Sequence, residues 1–252
     1  MVTNGRTAEG TGTARAADKL AGTGDLAVRI DGRRPMSVES VAAIEAVCDN
    51  AEDCGSDHGT VVVHVSGAPA GPWARSLSVA LVSKWERGLR RLERLPATSI
   101  AVATGDCGGL ALDALLATDY RIAAASARLL VPVGAGATWP GMALYRLCHQ
   151  AGGTAIRRAV LFGAPIDASD ALALGLVDEL TDDTVGALAA AADVMDAFLG
   201  AELAIRRQLM LDATTVSFED ALGRHLAACD RELRRYAGSH SDGTGDRSAG
   251  VG

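Results

Sequence analysis

Between Pro96 and Tyr120 the chain runs SIAVAT, then Gly105-Asp106-Cys107-Gly108-Gly109, then LALDALLAT. No other stretch restricts the fold as much, because a buried strand has to hand over to a helix within a few glycine-rich residues. The same alternation surrounds it. LAVRI (26–30) reads as a strand, Ser37 is placed to cap a helix running to about residue 53, and TVVVHVS (60–66) is a second strand rich in β-branched residues. From Ser78 to Leu95, apolar residues recur at Val79, Leu81, Val82, Trp85, Leu89, Leu92 and Leu95, with arginines on the opposite, solvated side of the helix. Another strand, YRIAAA, follows the glycine segment, and after Ala155 the pattern turns mostly helical. The fold class is therefore α/β. Its core is expected over residues 25–185, with a helical region over 186–237 and disordered Gly/Ser/Thr-rich tails over 1–24 and 238–252.

Glycines between a buried strand and a helix let a backbone approach a ligand closely, and a helix start offers unpaired N–H groups with a partial positive charge. Such a place suits a phosphate or the oxyanion of a thioester or ester carbonyl; it also suits a tight turn and nothing more. Gly105, Gly108 and Gly109 fit neither GxGxxG nor GxxxxGK[ST], so a dinucleotide site is poorly supported.

Charge and cysteine usage narrow the classes further. With 24 Lys+Arg against 31 Asp+Glu the net charge is −7, which argues against a phosphate-neutralising nucleic-acid surface. The five cysteines (Cys48, Cys54, Cys107, Cys148, Cys229) include no CxxC pair, so neither a disulfide framework nor a metal site is expected. No apolar segment with a cleavage site opens the chain, and the apolar stretch 185–205 is cut by Asp193 and Asp196. A cytoplasmic protein without a membrane span is the expectation. Among isolated candidates, His64 and His149 read as packing or surface residues. Cys107 lacks a placed activating His or Asn, and Ser66, Ser76 and Ser78 lack a GxSxG elbow and a motif-paired His.

Three segments in order, TGDCGGLALDALLATDYRIA (104–123), ATWPG (137–141) and VLFGAPIDASDALALGLVDEL (160–180), resemble the enoyl-CoA hydratase/isomerase (crotonase) superfamily, with likeness over roughly residues 25–236. The stretches SGAPAGPWARSLSVALVSKWERGLRRLERLP and LLVPVGAGATWPGMALYRL resemble the branch of that family serving 3,5-dihydroxyphenylglycine formation for glycopeptide antibiotics. The resemblance implies a crotonase-like spiral of ββα units forming two roughly perpendicular sheets, followed by a helical region supporting a homotrimer or hexamer. It also implies an acyl-CoA thioester whose carbonyl is polarised by two backbone N–H groups, with CoA as part of the substrate and no separate cofactor.

Carried over position by position, the oxyanion donors fall near Ser76 and on Leu110, with Gly109 beside it. Arg75 stands where the family prefers glycine. The two carboxylates used for hydration fall on Asp113 and on Val133, so one acid is shortened and the other is absent. Asp113 also reads as a polar residue on the exposed side of its helix. Thr138 and Trp139 fall in the turn facing the acyl pocket, and Arg34 falls at a position suited to a CoA phosphate. The implied reaction is loss of water from a cyclised polyketide thioester to give 3,5-dihydroxyphenylacetyl-CoA. Partners would be an acyl-CoA or enzyme-bound polyketide thioester, a type III polyketide synthase and a second crotonase-family enzyme. A non-catalytic subunit that stimulates the synthase is the competing expectation.

Overall fold

The computed structural model describes residues 24–54, 59–75, 77–196 and 200–241. The N-terminal tail expected from sequence lies almost wholly outside the described residues. So does most of the C-terminal one, although residues 238–241 continue the last helix.

A 3-10 turn (Gly24–Leu26) precedes β1 (Ala27–Asp31), α1 (Val38–Asp53), β2 (Thr60–Gly67), α2 (Val79–Leu92), β3 (Thr98–Gly108), α3 (Leu110–Leu115) and β4 (Tyr120–Ala123). There follow β5 (Arg128–Leu130), β6 (Val133–Gly134), β7 (Ala137–Thr138), α4 (Met142–Ala151), α5 (Arg157–Phe162), β8 (Ile166–Asp167), α6 (Ala168–Ala173), β9 (Glu179–Leu180) and α7 (Thr184–Met195). Ser37 closes a capping box with Ser40 at the start of α1, and the Ser78 hydroxyl accepts the Leu81 amide at the start of α2.

Strands pair in the order β1-β2-β3-β4-β9, all parallel. The glycine segment is not a loop. β3 runs on through it, because the pairing with β2 skips from Ser66↔Thr104 to Gly67↔Cys107 across a bulge at Gly105 and Asp106. Beyond the bulge, Asp106–Gly108 pairs with β5, which in turn pairs antiparallel with β8. Where the resemblance implies two sheets, seven of the strands here join in one branched sheet with β3 as its shared member, and β6 and β7 pair as a separate two-stranded sheet.

The continuous apolar run of β3 follows from burial on both faces. On one face Val62, Ile100, Val102 and Ile122 meet Ala187, Leu188 and Ala191 of α7. On the other, Ala101 and Ala103 join the main core with Ile44 of α1 and Trp85, Leu89 and Leu92 of α2. Each such large side chain contributes about 1.5 to 3 kcal/mol of burial. Helices α1 and α2 approach closely because Gly88 faces Ile44, where an added Cβ would lie 3.2 Å from Ile44 Cγ2. Val79, read from sequence as part of the apolar face of α2, is 87% exposed at its first turn. Since α7 covers the sheet, it belongs with the strands rather than with the C-terminal helices, and one compact unit runs to Leu203.

The second unit begins at Ala204 and holds most of α8 (Ala201–Asp212) together with α9 (Phe218–Ser241). Within it Arg224 pairs with Asp212 and Arg206 with Glu232, while Met210, Phe218, Leu222, Leu226, Leu233 and Tyr236 are exposed. Among the described residues no helix is long and apolar enough to cross a membrane.

Candidate active site

A cleft of about 450 Å³, open solvent included, lies where β3 hands over to α3. Four segments build it. The turn after β1 contributes Gly32, Arg34, Pro35 and Met36, and the loop after β2 contributes Pro69 and Trp73. The start of α3 supplies Gly109, Leu110 and Asp113, and Val131, Pro132, Trp139 and Ala143 close the far side. The lining is mostly apolar, with one carboxyl group and one guanidinium.

Backbone fit explains two glycines here. Gly32 sits so close to the neighbouring strands that a Cβ would lie 2.2 Å from the Gly108 carbonyl oxygen and 2.3 Å from that of Gly67. Gly109 caps α3 at φ 55°, ψ −126°, outside the reach of ordinary L-residues, and its Cβ would meet Pro69 at 3.2 Å. That sharp handover starts α3, whose first N–H groups, that of Leu110 among them, have no acceptor within their own helix. Gly109, Leu110 and Asp113, one helical turn on, all line the cleft.

Asp113 is buried, contrary to its reading as an exposed helix residue. Trp85 Nε1 donates to its Oδ2 at 3.2 Å from α2. Burial is the main cause that pushes its carboxyl up to about 7; the negative charge of Glu86 adds to this, while Arg146 and the Trp85 hydrogen bond oppose it. An acid–base group poised near neutrality inside an apolar cleft is the chemical content of this site.

The remaining sequence candidates divide. Arg34 and Trp139 line the cleft, Arg34 with an exposed side chain, and Trp139 makes an edge-to-face contact with Trp73 at 5.1 Å. Val133 is off the lining and 51% exposed on β6, where a Cβ on Gly163 would touch its Cγ2 at 2.4 Å. The hairpin turns it outward, so Val131 and Pro132 face the cleft instead. Thr138 is also off the lining: its hydroxyl donates to the Val160 carbonyl at 2.5 Å and holds the hairpin to α5. Ser76 lies outside the described residues. Its neighbours' amides are committed to the local turn, Arg75 N–H to Pro72 O and Leu77 N–H to Ala74 O.

Cys107 is buried and its thiol is pushed up to about 12, chiefly by desolvation, which leaves no thiolate for nucleophilic attack. His64 is partly buried on β2, its imidazole held below its ordinary range by desolvation and by Arg29. His149 lies against Tyr145 at the surface, ring centroids 4.3 Å apart and planes tilted by 41°.

Sequence reading missed several contributors. Trp85 looked like a core residue and is also a hydrogen-bond donor to Asp113. Behind it, Arg146 on α4 joins Glu86 on α2 and Glu93 at the C-cap of that helix, at 2.9 and 2.7 Å. No signal in the sequence marks this cluster, because Glu86 and Glu93, seven residues apart, read as solvated helix residues.

The model for enoyl-CoA hydratase/isomerase matches residues 76–242. An enoyl-CoA-hydratase of Amycolatopsis orientalis is 56% identical over 217 residues, 86% of this chain and 99% of that protein. The chain belongs to the enoyl-CoA hydratase/isomerase family. Solved family structures share its fold at low identity. One from Silicibacter pomeroyi has a TM-score of 0.69 at 20% identity, covering 83% of this chain and 96% of its own. One from Marinobacter aquaeolei has a TM-score of 0.67 at 18%, covering 82% and 87%. The crotonase-like α/β fold is therefore shown, and the chain is an acyl-CoA-processing enzyme of the enoyl-CoA hydratase type. Gly109 and Leu110 line the cleft at the start of α3.

Proposed function

We propose that this enzyme is a dehydratase acting on a β-hydroxyacyl thioester whose product becomes aromatic: a cyclised polyketide converted to 3,5-dihydroxyphenylacetyl-CoA in dihydroxyphenylglycine, and hence glycopeptide antibiotic, formation. The observation that carries the proposal is a single buried carboxyl, Asp113, poised near neutrality in a cleft walled by Trp73, Trp139 and Met36. Two indole rings in a hydrophobic wall suit a cyclic acyl group better than a straight chain.

The thioester carbonyl accepts a hydrogen bond from the Leu110 amide. Ionised Asp113 removes the α-proton, and charge collects on the carbonyl oxygen as an enolate. The enolate then expels the β-hydroxyl, which leaves as water with the proton that Asp113 has just taken. One C–H and one C–O bond break, one C=C bond forms, and Asp113 ends as it began. Aromatisation drives the reaction forward, so one group cycling one proton suffices where reversible hydration uses two carboxylates. Arg34 at the cleft mouth meets a CoA phosphate, and the exposed apolar face of α9 supports association into a homotrimer or hexamer.

The test is to give the purified protein the cyclised β-hydroxy thioester without any synthase and follow aromatic product by absorbance and mass. Wild-type protein should form it and Asp113→Asn should not. Product that appears only in the synthase's presence, and equally with Asp113→Asn, would establish the protein as a stimulating subunit instead.

A further inference from the structure

An ion cluster lies behind Asp113, with none of its members among the residues that line the cleft. The Arg146 guanidinium donates through Nη1 to Glu86 Oε2 at 2.9 Å and through Nε to Glu93 Oε1 at 2.7 Å. These side chains are only 7%, 17% and 12% exposed. Glu93 has a second partner, Arg90, at 2.8 Å. Trp85, the residue before Glu86, fixes the register of α2 against α3 through its bond to Asp113. Ala143, one turn before Arg146 on α4, lines the cleft. Helices α2 and α4 thus bring the cluster to the rear of the reacting carboxyl.

Burying such a cluster costs several kcal/mol per ion, and apolar residues of similar volume would hold the helices together as well. Its charge balance shows what it does. Asp113, Glu86 and Glu93 set three carboxyl groups against one buried guanidinium. Glu86 and Glu93 each bond an arginine, whereas Asp113 receives only an indole N–H. Excess negative charge therefore falls on Asp113, the member with the weakest counter-charge. The groups acting on it are Glu86 and Trp85 from α2 and Arg146 from α4.

We infer that Glu86, next to Trp85 on α2 and held in place by Arg146, is a positioning residue for this reaction: the cluster sets a fixed negative charge behind Asp113 while that carboxyl takes the α-proton. This rests on the reading of Asp113 as the reacting base. Arg146 opposes Glu86, since its positive charge favours the ionised form of Asp113.

The experiment is the pH dependence of kcat and kcat/KM for aromatic product, measured on wild type, Asp113→Asn, Glu86→Gln and Trp85→Phe. Wild-type activity should rise with pH through about 7 as Asp113 ionises. Glu86→Gln keeps an oxygen for Arg146 but removes the like charge, so the acidic limb should move down by about one pH unit. Its plateau kcat should fall several-fold because the base is weaker, with KM little changed. Trp85→Phe removes a donor that favours the carboxylate, so its limb should move upward. A purely structural role would lower both variants' stability without moving their limbs in opposite directions. Should Glu86→Gln not fold, the upward move in Trp85→Phe and a downward move in Glu86→Ser carry the same test. Full activity in Asp113→Asn would overturn the assignment of the base itself. An inactive Asp113→Asn with unmoved limbs in the other variants would overturn this inference alone.

Discussion

Asp113→Asn should make the protein more stable at alkaline pH while abolishing its chemistry, and the gain should depend on pH in one particular way. Folded, the carboxyl ionises near 7; in the unfolded chain it ionises near 3.9. Between those values the folded state holds a proton that the unfolded state has released, so wild-type stability falls as pH rises across that window and is level above it. The full penalty for carrying the charge is about 4 kcal/mol from the difference between the two ionisation points. Asparagine keeps an oxygen for the Trp85 indole but buries an N–H₂ group, which costs about 1 to 3 kcal/mol when unsatisfied. The net expectation is a stabilisation of about 1 to 3 kcal/mol at pH 8.5 that falls as pH drops and becomes a destabilisation of about 1 to 3 kcal/mol near pH 4, where only the cost of the buried amide remains. Urea denaturation of both proteins at half-unit steps from pH 4 to 8.5 measures it. A difference independent of pH, or a stabilisation that grows toward acid, would refute the assignment of a buried, proton-holding carboxyl. The expected fall in wild-type stability as pH rises would show that the active, ionised form of this site is its strained form.

Gly109→Ala should lower kcat/KM by about 100- to 1,000-fold, because a methyl at φ 55° against Pro69 displaces the first amides of α3; circular dichroism should show the fold intact. Arg34→Ala should raise KM severalfold for a CoA thioester and leave KM unchanged for the matching N-acetylcysteamine thioester, which lacks the phosphates. Ala135 sits in the β6–β7 turn at φ 52°, a conformation disfavoured by about 1 to 2 kcal/mol for L-residues, so Ala135→Gly should raise the melting temperature slightly with activity retained.

Much of the main architecture can be read from local pattern, because β-branched runs and a capping serine act over a few residues. LAVRI, TVVVHVS and the box at Ser37 form the strands and helix that their periodicity predicts. The glycine segment misleads for a physical reason. Gly108 has weak strand propensity and only its partner β5, distant in sequence, holds it in the ladder, while Gly105 at φ 63° turns the bulge. At the site, Gly109, Leu110, Asp113, Arg34 and Trp139 share one cleft. Val133 and Thr138 do not, because a two-residue turn decides which side of the hairpin meets the cavity, and spacing along the chain carries no record of that rotation. Glu86, Glu93 and Arg146 are illegible for a related reason: charged residues on a helix normally mean solvent, and only packing reveals that α4 covers them.

The chain holds three tryptophans, and all three meet at one place: Trp73 and Trp139 on the cleft wall, and Trp85 on the carboxyl. Its intrinsic fluorescence is therefore a private reporter. Emission excited at the indole band has no contribution from elsewhere in the molecule, so an unlabelled titration reads occupancy of the acyl cleft directly. The component from Trp85 senses the charge on its neighbour, which gives an optical readout of that proton even when no turnover is taking place.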